Sequence, residues 1–234
     1  MAGYREHISV SGLCGAGYGI AATVLMGFTP VQGALAGVMT WVAGMLPDLD
    51  SDTGRPTREV FGLLAAAAPL AMMGHLLKWG GDPEGAMLLG VLLYDGIRYG
   101  ASWLLAKTSV HRGMFHSIPA LIIAAEIAFL AYKSDSLAVK TLMAGGVALG
   151  FFSHLLLDEL YSVQFTGVRI RLRSSAGSAM KFVGKNFLPN VVTYALLMLL
   201  TYAMLVDSGF VATPDVKSAP SFLRQAAEPL PPLR

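Results

Sequence analysis

Seven apolar runs alternate with short polar connections along the chain, and most approach the roughly 20 residues a helix needs to cross the hydrocarbon of a bilayer. They lie at Ser11–Phe28, Val31–Leu46, Val60–Lys78, Ala86–Ala106, Ser117–Tyr132, Leu137–Leu157 and Phe187–Val206. Val31–Leu46 and Ser117–Tyr132 are short, so the count of about seven carries an error of about one, six to eight in all. The pattern predicts an all-α fold, a polytopic integral membrane helical bundle forming one domain over residues 1–206. Gly12, Gly15, Gly17 and Gly19 interrupt the first run and only Arg5 precedes it, which favours a retained helix over a cleaved signal peptide. Residues 160–186 turn polar, and the period-two alternation from Val168 to Arg173 predicts an extended ribbon or an interfacial segment. Beyond residue 206, Pro214, Pro220, Pro229, Pro231 and Pro232 among polar residues predict a disordered tail over 207–234.

Composition agrees: 54% of residues are hydrophobic and only 14% charged, which excludes an ordinary water-soluble globule. A net charge of +2 gives no reason to expect a nucleic-acid partner, and the lone Cys14 excludes an internal disulfide. Lysine and arginine set the orientation. Arg5, Arg55, Arg58, Lys107, Arg112, Arg169, Arg171, Arg173, Lys181 and Lys185 gather on the side of the N-terminus, against Lys78, Lys133 and Lys140 in the opposite loops. The positive-inside rule makes the first side cytoplasmic. Small residues four apart, Gly15/Gly19, Gly33/Gly37 and Gly146/Gly150, are accounted for by close helix packing in lipid.

Against this background the metal-type side chains stand out, because His7, Asp48/Asp50/Asp52, His111/His116 and His154/Asp158 all fall at helix ends on that one side. Pro47 disfavours helix at Leu46, and an extended chain beyond it projects Asp48, Asp50 and Asp52 in one direction, where they repel unless a cation joins them. The string also mimics a calcium loop ending at Glu59, but Thr53 stands where that loop needs glycine. His111 and His116 flank Gly113 in a tight connection, Ser117 is suited to cap the helix that follows, and Arg112 is placed to receive a phosphate oxygen. His154 and Asp158, at i and i+4, share a helix face.

Three ionised groups fall deeper in the apolar runs: Asp95 and Arg98, three apart, and Glu126. Each is too costly at that depth to go unpaired, at about 2.5–3.5 kcal/mol on insertion scales. Two readings stay open. Either Asp95 and Arg98 pair and Glu126 bonds to a neighbour, or the three line a polar cavity, with Ser117 at its edge, that admits a substrate headgroup.

The metal-type residues outnumber the three or four protein ligands of one zinc, so two or three ions are expected, zinc first, with manganese or iron as alternatives. Water activated by such ions hydrolyses phosphate esters. No nucleophilic serine or cysteine with a partner histidine is evident, and Asp52 and Glu159 are equally placed as general base.

These residues resemble the YdjM-like, LexA-regulated group of bacterial inner-membrane metal-dependent hydrolases. The resemblance is carried by His7, Leu46-Pro47-Asp48-Leu49-Asp50, His111-Arg112-Gly113 with His116-Ser117, and Ser153-His154-Leu155-Leu156-Leu157-Asp158, in that order over residues 7–158. Met114-Phe115 departs from the family's usual small or polar pair, and Asp52 lies outside its common core. The His154/Asp158 helix is more distantly similar to the ligand helix of zinc-dependent phospholipases C. The resemblance implies an inner-membrane enzyme with His7, Asp48, Asp50, His111, His116, His154 and Asp158 as ligands and a lipid or lipid-linked phosphoester as substrate. A divalent-cation transporter or channel, or a scaffold with a structural metal, would use the same residues differently. Oligomeric state is not legible.

Overall fold

The computed structural model describes residues 3–50, 54–108, 114–166, 169–172 and 180–212. Among them the helices are α1 (Tyr4–Val24), α2 (Pro30–Ala43), α3 (Arg55–Ala71), α4 (Met73–Gly80), α5 (Pro83–Asp95), α6 (Ser102–Thr108), α7 (Ile118–Ala131), α8 (Leu137–Ser162) and α9 (Phe187–Asp207). Every apolar run is helical, so the all-α class stands. Crossing a membrane is a stricter condition. By length and hydropathy, α8 and α9 meet it, and α3 with α4 meet it only as a pair bent by 64°.

Several boundaries depart from the apolar runs for identifiable reasons. The first helix starts at Tyr4, seven residues before the hydrophobic stretch, because one face continues through His7, Ser11, Gly15, Gly19 and Ala22, all buried. The run Val60–Lys78 breaks at Met72, three residues after Pro69, which lies inside α3. The run Ala86–Ala106 is divided by a π-helical stretch, Gly96–Ala101. After α8, strands β1 (Val163–Thr166) and β2 (Arg169–Leu172) pair antiparallel, Val163 opposite Leu172 and Thr166 opposite Arg169, which is the extended ribbon that the alternation predicts. The polar segment therefore begins helically, since α8 runs on to Ser162. The tail after residue 212 lies outside the described residues.

The core is built where α8 meets α1, α2 and α7. Ala22, Ala36, Val139, Leu142 and Met143 form one buried cluster, and Ala43, Ala128 and Val147 a second. Glycine makes this approach possible. A Cβ on Gly19 would lie 2.6 Å from the carbonyl oxygen of Gly33, and one on Gly150 would strike the carbonyl of Thr40, so α1, α2 and α8 touch backbone to backbone. That contact sets the depth of the polar end of α8 against the ends of α1 and α2.

Candidate metal centre

Four elements deliver the site. The start of α1 supplies His7, the turn after α2 supplies Asp48, the residue pair before α7 supplies His116, and the last turns of α8 supply His154 and Asp158. All four of His7, His116, His154 and Asp158 are buried, at 6% exposure or less, while the Asp48 side chain is about a quarter exposed. Burying this many ionisable groups together is unfavourable unless each compensates the others.

Local chemistry fixes each position. Pro47–Asp50 forms a 3-10 turn, held by the Leu49 amide donating to the Leu46 carbonyl and by the Thr57 hydroxyl of α3 donating to the Leu49 carbonyl at 2.8 Å. This corrects the expectation of an extended chain over Asp48–Asp50, which is wound as a turn instead. The Asp48 carboxylate reaches into the site; the side chain of Asp50 and all of Asp52 lie outside the described residues. Ser117, fully buried, caps α7 by accepting from the Ala120 amide at 3.2 Å, with Pro119 in the first turn, and so fixes the chain beside His116. The Ile118 amide donates to the Lys181 carbonyl, tying the same corner to the segment before α9.

The donor atoms converge. His116 Nε2 lies 3.3 Å from Asp48 Oδ1 and 3.9 Å from Asp158 Oδ2; His154 Nε2 lies 3.6 Å from Asp48 Oδ1 and 3.8 Å from Asp158 Oδ2. Zinc bonds of roughly 2.0–2.1 Å place neighbouring ligands of a tetrahedron roughly 3.3 Å apart, so these four separations match or slightly exceed that edge. The other carboxylate oxygen, Asp158 Oδ1, lies 3.2 Å from His7 Nε2. The His7 and His154 rings stack with centroids 3.6 Å apart and planes within 10°, and His116 meets His154 edge-on. Two triads result whose ligand atoms lie within 4.8 Å of one another: His7, His154 and Asp158, and Asp48, His116 and His154.

One atom tests whether a cation fits. His154 Nδ1 is 2.7 Å from the carbonyl oxygen of Gly44, which can only accept, so the ring proton is on Nδ1 when the imidazole is neutral. Nε2 then presents a lone pair toward two carboxylates, and it has no hydrogen-bond donor although it is buried. A lone pair facing anions is repulsive unless a cation sits between them, and a divalent ion meets that need. Burial pushes the Asp48 carboxyl up, but the His116 hydrogen bond and the charges of His154, His116 and His7 outweigh burial and hold it below its ordinary value.

The remaining expected residues fall elsewhere. His111 and Arg112 lie outside the described residues. Glu159 is half-buried, next to Asp158 on α8. Asp95 and Arg98 do not pair: Asp95 is exposed at the end of α5, and the Arg98 guanidinium donates to the Arg58 carbonyl of α3. The π-helical geometry that begins at Gly96 is the reason, since it alters the three-residue spacing on which such a pair depends. Glu126 is buried and accepts the Thr201 hydroxyl of α9 at 2.5 Å, which joins α7 to α9. The residues that sequence reasoning missed are Gly44 and Ser11, whose signal is positional: Ser11 follows His7 by one turn, and Gly44 ends the helix that leads to Asp48.

Fold and site together define a helical membrane protein with a buried histidine–aspartate cluster of metal-binding type. Over residues 5–206 the chain matches the family described as YdjM inner membrane protein, and it belongs to that family. No curated protein and no solved structure matches it. The likeness to zinc-dependent phospholipases C therefore rests on the His154/Asp158 spacing alone.

Proposed function

We propose that this chain is a membrane-embedded, metal-dependent hydrolase acting on a phosphoester of a lipid or lipid-linked substrate. The observation that supports this reading is the buried Nε2 of His154, aimed at two carboxylates within 3.8 Å with no donor to satisfy it. His116, His154, Asp48 and Asp158 hold one ion of zinc type, and His7 with Asp158 Oδ1 supplies donors toward a second. When bound, such ions polarise a phosphoryl oxygen and acidify water. The protein's own part is to keep the donors in place and to keep the site dry on the side of α8, leaving Asp48 as the most accessible ligand. In this reading the seven helical runs span an inner membrane with the N-terminus and the centre on the cytoplasmic side, so the site meets substrates at the headgroup layer.

The experiment is zinc content and phosphate release with purified protein in mixed micelles of phospholipids and polyprenyl phosphates. We expect bound zinc and release of phosphate or a phosphorylated headgroup, both lost in His154→Ala. Zinc entry into proteoliposomes with no phosphate released would replace this reading with that of a transporter.

A further inference from the structure

The carbonyl group of Gly44 has a placement that helix chemistry alone does not require. The last carbonyls of a helix lack intrahelical donors and are usually satisfied by a tightened turn, a cap or water. At the end of α2 the Met45 and Leu46 amides close back on Val42 and Ala43, and the Trp41 carbonyl accepts both the Gly44 amide and the Ser11 hydroxyl. Gly44 is the carbonyl passed over. It accepts instead from an imidazole 110 residues away, at 2.7 Å, and that imidazole is His154.

The residue type matters as well. Gly44 has ordinary right-handed backbone angles, so glycine is not needed there for conformation. It is needed for space, because a Cβ would run into Cβ and Oγ of Ser11 on α1. Ser11 is itself fully buried, one turn beyond His7, with its hydroxyl directed at the Trp41 and Ile8 carbonyls. The α2 end can therefore come close enough to reach His154 only because position 44 has no side chain.

We propose that Gly44 is a positioning residue of the metal centre: its carbonyl locks His154 in the Nδ1–H tautomer and commits Nε2 as a single metal-binding atom. This rests on the functional reading above and adds a restriction to it. With Nδ1 occupied, His154 serves one ion only, so the two triads that contain it cannot both be filled through it. A second ion must rely on Asp158, whose Oδ1 faces His7 and whose Oδ2 faces His116 and His154. An outer partner that fixes a ligand's tautomer typically contributes ten- to a hundredfold in metal affinity.

The test uses the full chain in detergent, labelled with ¹⁵N-histidine, stripped of metal and titrated with Zn²⁺. Nitrogen shifts of the metal-free protein should show His154 protonated on Nδ1. In Gly44→Ala the clash with Ser11 should displace the carbonyl, mix the tautomers and weaken Zn²⁺ binding at least tenfold. Adding Ser11→Gly makes room for the new methyl group and should restore both the tautomer and the affinity, which general misfolding would not allow. A His154 protonated on Nε2 in the wild type, or a Gly44→Ala protein that binds Zn²⁺ within twofold of wild type, overturns this inference alone. A wild-type chain that binds no Zn²⁺ overturns it together with the functional reading.

Discussion

Among the described residues, helices α8 and α9 are the two single helices long and apolar enough to cross a membrane, yet the protein uses them in opposite ways. The most apolar stretch of α8 is 61% buried inside the protein, and the helix carries Lys140, His154 and Asp158; that of α9 is 0% buried, and its one acidic residue, Asp207, is its last. The difference is one of surroundings. Groups on α8 that lipid would not tolerate are enclosed by α1, α2 and α7, where histidines, carboxylates and carbonyls answer one another. Helix α9 makes scattered polar contacts instead: Asn190 and Tyr194 bond to the backbone of Gly184 and Phe182, the Thr201 hydroxyl donates to Glu126, and Asp207 at its end meets Lys140 of α8.

Four substitutions, with Met198→Leu as a control, probe that contrast. The largest effect is expected from Asp158→Asn, which removes a charge that faces three histidines; zinc content by elemental analysis should fall to background, while a retained full complement would separate α8 from the centre. Next, Leu199→Lys on the exposed face of α9 puts a charge where nothing encloses it, and should cost about 2.5–3.5 kcal/mol in membrane insertion, read by a glycosylation-mapping assay. Normal insertion would mean that α9 is covered by protein rather than lipid. Third, Gly150→Leu drives a side chain into the Thr40 carbonyl of α2 and should lower stability by roughly 1–3 kcal/mol, seen as an earlier thermal transition of the detergent-solubilised chain, whereas Met198→Leu on α9 should leave it unchanged. The smallest is Thr201→Val, worth about 0.6 kcal/mol by the average for hydrogen bonds between membrane helices, and measurable only by reversible unfolding of matched variants.

How far the amino-acid order reveals this arrangement depends on the kind of signal. Apolar length marks where helix forms, because hydrophobicity is local, though not the breaks between α3 and α4 or α5 and α6, and His154 with Asp158 is legible because both lie on one helix face. The convergence of His7 and Asp48 on that pair depends on backbone contacts between Gly19 and Gly33 and between Gly150 and Thr40, which spacing hints at but cannot register. The turn that carries Asp48 is not legible for a related reason: alternation assumes extended chain, whereas a hydroxyl from Thr57, nine residues on, holds the Leu49 carbonyl in a turn. Gly44 shows only as a glycine at the end of a helix, since the acceptor it supplies is backbone and has no residue code.

The π-helical stretch Gly96–Ala101 carries a consequence for anyone drawing a helical wheel through Pro83–Thr108. Each such bulge adds one residue to a turn, so the phase of everything after it slips by about 100°. Faces assigned to Trp103 or Lys107 by counting forward from Tyr94 will be wrong by that angle, and labels meant to report on lipid will report on a neighbouring helix.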